Sequence, residues 1–177
     1  MPDSIKIIIE DTGVRTLLSG MAERLRDMTP AMREVASIMT ESTQLNFEAE
    51  GRPRWPALKP STIAGREAKG YWPGKILQIR GGRGGGLASS ITQRYDAASA
   101  EVGTNAPHAA IHQFGGTTRP HVIKAKSKKG LYWPGASHPV RQVNHPGSTI
   151  PARPFLNLTE DDLTEIRAVL GRYAAGE

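Results

Sequence analysis

Five histidines are the residues best equipped for chemistry in this chain, which has no cysteine. His108 and His112 stand four apart, so on a helix they share one face. A helical zinc hydrolase needs a glutamate directly after the first histidine to act as base, and position 109 is alanine. A third ligand would have to come from His121, His138 or His145, none with a carboxylate near it in sequence. The pattern therefore predicts no metal centre. It predicts instead a His112 that packs and hydrogen-bonds within the fold. Nucleophilic catalysis has no better footing, because no serine sits in a G-x-S-x-G elbow. The glycine run at 81–86 continues into Leu87-Ala88, without the lysine and hydroxyl residue of a phosphate loop, and reads as a flexible tether. No catalytic group, cofactor or metal is expected.

The next candidates are cations. The formal charge is +6, with pI ≈ 9.8, and it is unevenly spread. Residues 1–50 carry five basic and nine acidic side chains; 51–94 carry nine basic and one acidic; 117–149 carry six basic and none acidic. In 51–94 the cations interleave with Trp55, Tyr71 and Trp72, the mixture that single-strand nucleic-acid binders use. No helix-turn-helix, finger or RNA-recognition signature accompanies them. A sequence-independent nucleic-acid-binding accessory protein is thus the alternative to a protein–protein assembly role. In that second reading, acidic body and basic loops steer self-association.

The elements that must carry these residues are legible in part. Ile5–Ile9 reads as a buried strand. Val14, Leu17, Leu18, Met21, Leu25 and Met28 recur at helical spacing. Thr29-Pro30 reads as a capped start to a second helix, striped by Met32, Val35, Ala36, Met39 and Phe47. The pair is expected as a helical hairpin whose apolar faces form the core. Ser61-Thr62 can cap a short helix through Ala68. Leu87–Tyr95 and Ser99–Gly103 read as two strands, or as a helical turn plus strands, joined at Tyr95–Ala98, and Ala109–Phe114 as a turn or two of helix. Val122–Lys126 and Leu131–Trp133 flank Lys128-Lys129-Gly130 as a hairpin, while His138–Ser148 shows no period. A last helix starts at a Thr159 cap, with Glu160, Asp161 and Asp162 in its positive first turn and Leu163, Ile166, Leu170 and Tyr173 as its stripe. The fold class is α+β: one domain over 1–177, with a helical hairpin, a small mostly antiparallel sheet and a long basic arm at 117–149. Ile5–Ile9 is too short and too flanked by acids for a signal peptide, and no stretch reaches the ~20 apolar residues of a membrane span. A soluble protein, cytoplasmic when made, is expected.

An ordered set of short motifs runs through most of this chain. Phe47 is followed by Gly51-x-x-x-Trp55-x-x-Leu58-x-x-x-Thr62; then come Ile76-Leu77, Leu87-x-x-Ser90-Ile91, Val102-Gly103-Thr104 and Ala109-x-Ile111-His112-Gln113-Phe114-Gly115. The set closes on Pro151-Ala152-Arg153-Pro154-Phe155-Leu156. In this order they resemble the phage virion morphogenesis family, the Mu-like and tail-completion group, departing from it at His108. The resemblance implies a structural, non-enzymatic virion protein at the neck or top of the tail, assembled in the host cytoplasm. It implies a homo-oligomeric ring, commonly of six subunits, around the DNA channel. Its neighbours would be head–tail connector and tail terminator or tail tube proteins, with non-specific contact to packaged DNA and no membrane. Trp55, Leu58, Thr62, His112, Gln113, Phe114, Gly115, Arg153, Pro154 and Phe155 are then anchors or inter-subunit contacts. Lys124, Lys126, Lys128, Lys129, Tyr132 and Trp133 are the expected contacts of the arm.

Overall fold

A computed structural model of the protein describes residues 11–78, 86–126, 130–133 and 136–177. The strand expected at Ile5–Ile9, the tether at 81–85, and Lys128 and Lys129 lie outside the described residues. Helix α1 spans Thr12–Arg26, and Asp11 caps it by accepting from the Val14 amide. Helix α2 spans Thr29–Glu48. Its start differs from the expectation in one respect. Thr29 lies inside the first turn and makes no cap; Asp27 Oδ1 accepts the Thr29 amide instead, at 3.0 Å. Helix α3, Pro60–Glu67, likewise starts on proline with no side-chain cap from Ser61 or Thr62.

Past the 3₁₀ turn Leu87–Ser90, strands β1 (Ile91–Tyr95) and β2 (Ala100–Thr104) pair antiparallel, Ile91 opposite Thr104. Asp96 fastens their turn by accepting the Ala98 and Ser99 amides. Helix α4 covers Ala109–Phe114 and α5 covers Glu160–Ala175. The capping box at α5 is complete, because Thr159 Oγ1 accepts the Asp162 amide while Asp162 Oδ2 accepts the Thr159 amide. α5 ends in left-handed Gly176.

Two apolar clusters hold the body. In one, Ala31, Val35 and Ile38 of α2 meet Val169 of α5, with Met28, Met39, Ile166, Leu170 and Tyr173 at the margin. In the other, Phe47, Trp55, Ile76, Leu87, Ala109 and Phe155 converge from five separate stretches of chain. The expected core face of α2 is thus buried. That of α1 is not: Val14, Leu17, Leu18 and Leu25 are each about half exposed. α1 leans on α5 through a polar contact, Arg24 donating to the Ala174 carbonyl at 3.1 and 2.9 Å. A cation there also faces the negative end of the α5 dipole.

The arm is a ribbon of three antiparallel pairings. β3 (Gly116–Thr117) pairs with β6 (Thr149–Ile150), β4 (His121–Lys124) pairs with β5 (Gln142–His145), and Leu131 bridges Val140. This corrects the hairpin expected between Val122–Lys126 and Leu131–Trp133. The true partner of β4 lies in the 138–148 segment that showed no period. The reason is solvation and length: β4 is exposed along its whole length, and β5 has only four residues, with Val143 its one aliphatic side chain, too few to show a period.

Candidate functional site around Arg153

The returning segment 151–157 is the clasp of the molecule. Pro154 holds Arg153 in extended backbone, so the segment cannot join a helix. It threads between α2, α4 and the loop that carries Trp55. Trp55 is buried, and its indole Nε1 donates to the Pro154 carbonyl at 3.1 Å. Phe47 lies edge-on to Trp55 at 5.8 Å and stacks on Phe155 at 5.4 Å. The Trp55 loop needs Gly51 at φ +102, since a side chain there would strike the indole ring and come within 2.6 Å of the Pro53 carbonyl.

α4 contributes polar pins. Gln113 Oε1 accepts the Phe155 and Leu156 amides at 3.0 and 3.1 Å, and the Arg153 amide donates to the His112 carbonyl at 2.7 Å. Gly115, at φ +72, passes so close to the segment that a Cβ would lie 2.8 Å from the Ala152 nitrogen. Phe114 points the other way and is 78% exposed. The motif at 111–115 therefore splits, with His112 and Gln113 facing the clasp and Phe114 facing solvent.

α2 supplies a buried polar face that its apolar stripe does not announce. Asn46, fully buried, donates to the Phe155 and Asn157 carbonyls at 3.0 and 2.7 Å. Arg52 returns a bond to Asn46 Oδ1 at 2.9 Å and another to Ser42 Oγ. Asp162 closes the network, accepting from Ser42 at 2.6 Å and facing Arg52 at 3.4 Å. Burial pushes the Asp162 carboxyl up, but the bonds from Ser42 and Thr159 and the Arg52 charge outweigh it, and its pKa lies below the usual aspartate value.

Arg153 is 5% exposed. Its Nε and Nη2 donate to the Pro56 and Ala57 carbonyls, both at 3.1 Å. Among the described residues no carboxylate lies within ion-pair distance of it. Leu58 is half-buried against the aromatic cluster, while Thr62 is exposed on α3. His108 and His112 do share a face, their rings edge to face at 5.8 Å, and among the described residues no group of three metal-ligating side chains gathers around them. On the arm, Lys124 and Lys126 are exposed, as are Tyr132 at 69% and Trp133 at 45%. Burial removes Trp55 from any base-stacking surface, and with it one aromatic from the nucleic-acid reading.

The order of these contacts matches the order of the motifs, and comparison with known proteins decides what that order means. The profile of the phage virion morphogenesis family matches residues 9–174. The chain belongs to this family. It is 34% identical over 157 residues to "Mu-like prophage FluMu G protein 2" of Haemophilus influenzae, covering 86% of this chain and 83% of that protein. It is 32% identical over 150 residues to "Mu-like prophage FluMu G protein 1" of the same organism, covering 83% and 77%. A third relative is the protein named "Putative capsid assembly protein G" in Escherichia phage Mu, 36% identical over 107 residues, which are 56% of this chain and 66% of that one. No solved structure matches the chain. In this chain the motif and arm residues fall into two physical kinds. Trp55, Gln113, Arg153 and Phe155 hold the clasp shut. Phe114, Tyr132 and Trp133 present apolar surface outward.

Proposed function

We propose that this member of the phage virion morphogenesis family is a structural subunit that acts in tail completion and head–tail joining, as part of a ring around the DNA channel at the neck or top of the tail. The observation that carries the reading is the family match along nearly the whole chain. The surface supports it. The α1 stripe, Phe114 and the Tyr132-Trp133 pair leave large apolar groups in water at three places, and such surface marks contact sites.

A ring needs an interface in which one face of a subunit meets a different face of the next. The basic arm and the acidic helical body are two such faces, and opposite charge steers them together. Copies of this chain are the first partner, six being the ring size the family resemblance suggests. Head–tail connector proteins on one side and tail terminator or tail tube proteins on the other are the next. Cations of the arm would meet packaged DNA without reading its sequence.

Electron microscopy of lysates from a phage lacking this gene tests the proposal. Filled heads lying beside separate or defective tails are the expected result. Normal infectious particles would overturn it, and arrest of replication or transcription would favour the nucleic-acid accessory role.

A further inference from the structure

Beside the clasp lies a cleft of about 680 Å³. α3 forms one wall, the returning residues 148–153 the other, and α4 and Leu87 the floor. Its walls are largely apolar: Leu58, Tyr71, Leu77, Leu87, Ile150 and Pro151 line it. Among the described residues its charges are all of one sign: Lys59, Arg66, Lys69 and Arg153 reach it, with His108 and His112, and no acidic side chain lines it.

Two groups of its wall are unmatched among the described residues. Arg153 is buried with its charge facing no carboxylate among the described residues, and burying a lone charge is costly unless something offsets it. Burial first, and then the Arg66 charge, push the Arg153 guanidinium below its usual pKa. His112 Nδ1 is buried with no hydrogen-bond partner among the described residues, which is rare for a native buried polar atom. Arg153 spends Nε and Nη2 on the Pro56 and Ala57 carbonyls, which are neutral acceptors and leave its charge uncompensated.

The geometry points to a binding cleft for an acidic, aliphatic peptide segment of a partner protein, its carboxylate set among Arg153, Arg66 and Lys69 and its apolar side chains against Leu58, Leu87 and Ile150. The assignment rests on the reading of this chain as an assembly subunit and adds the chemistry of one docking partner. A nucleic acid suits the cleft less well. Single-strand binders stack successive bases on several aromatic platforms along a basic groove, whereas Tyr71 is the one aromatic ring besides the two imidazoles among the described lining residues and the other large apolar groups there are aliphatic. A carboxylate held in a mostly apolar cavity by a few placed donors matches how such pockets recognise ligands.

The test uses the full chain and an acetylated, amidated octapeptide of alternating leucine and glutamate, with its leucine–glutamine isostere, inorganic phosphate and a 20-base-pair duplex as comparators. Isothermal titration is expected to give one site for the leucine–glutamate peptide, with the isostere at least 10-fold weaker. The double variant Arg66→Gln, Lys69→Gln gives up one exposed bond, from Arg66 to the Lys75 carbonyl, and is expected to lose at least 10-fold in affinity while keeping the wild-type circular dichroism spectrum. The bound peptide should also raise the pH at which the His112 imidazole titrates by NMR. Equal affinity for the isostere, no binding, an unaffected double variant, or displacement of the peptide by phosphate or duplex at equal concentration would each overturn the assignment. These readings come from the isolated protein. Peptide binding alongside normal particles from the gene deletion would sink the assembly role alone, and the reverse pattern would sink the cleft alone.

Discussion

The Trp55 indole donates to the Pro154 carbonyl at 3.1 Å, joining two residues 99 positions apart. That bond ties the first half of the chain to its return. Trp55→Ala and Phe155→Ala each empty a site in the aromatic cluster, and each is expected to cost about 3–5 kcal/mol. Trp55→Phe keeps most of the volume but leaves the Pro154 carbonyl unpaired, so about 1–3 kcal/mol is expected. Urea denaturation of the three variants is the measurement; unchanged midpoints would mean the clasp is not the core.

Asn46 is the polar counterpart of Trp55. Asn46→Leu strands the Phe155 and Asn157 carbonyls and one edge of Arg52. Although leucine is the more apolar residue, a loss of about 2–4 kcal/mol is expected, because buried groups left unpaired cost about 1–3 kcal/mol each. A neutral or stabilising outcome in the same denaturation series would contradict the network.

Acid should weaken the fold in two stages. His112 titrates below its ordinary value of 6.5, owing to burial first and then to the His108 and Arg153 charges. As pH falls through 6.5 the unfolded chain takes up the proton before the folded one, so stability drops there. His112→Gln is expected to flatten that stage. Asp162 has a lowered folded pKa, so its contribution is present above the ordinary value of 3.8 and is lost as pH falls through the folded value. Melting temperatures across pH 3–8 for wild type and His112→Gln check both signs; a variant curve parallel to wild type would remove His112 from the account.

How far the sequence foretold this follows from the type of signal each part carries. α2 and α5 bury apolar stripes at helical spacing, and such stripes are visible in any single sequence. α1 carries an equally clear stripe, yet its partner is not in this chain's described fold, and periodicity alone cannot say what covers a face. Ser42, Thr43 and Asn46 were invisible as core because polar residues bury only when distant partners satisfy them. Arg153 was legible as an extended residue before a proline, but not as a buried cation. The arm was legible as basic and projecting, while its register came from residues with no period.

The arm carries its own prediction. Lys124, Lys126, Lys128 and Lys129 changed together to Glu would replace attraction to an acidic neighbour by repulsion. The proposed rings of the wild type are expected to loosen as salt rises, since exposed charges are screened within about 10 Å at 0.1 M. The variant is expected to stay monomeric even at low salt. Native mass spectrometry gives the answer, and rings formed equally well by both would limit the arm's charge to solvation.

Cryo-electron microscopy of the intact virion gives the most direct test of the proposed station. A closed ring of this chain is expected at the junction of head and tail, with DNA passing through it, and Phe114, Tyr132 and Trp133 covered by neighbours. Its absence from the mature virion, or density for it only within the capsid shell or at the far end of the tail, would contradict the account.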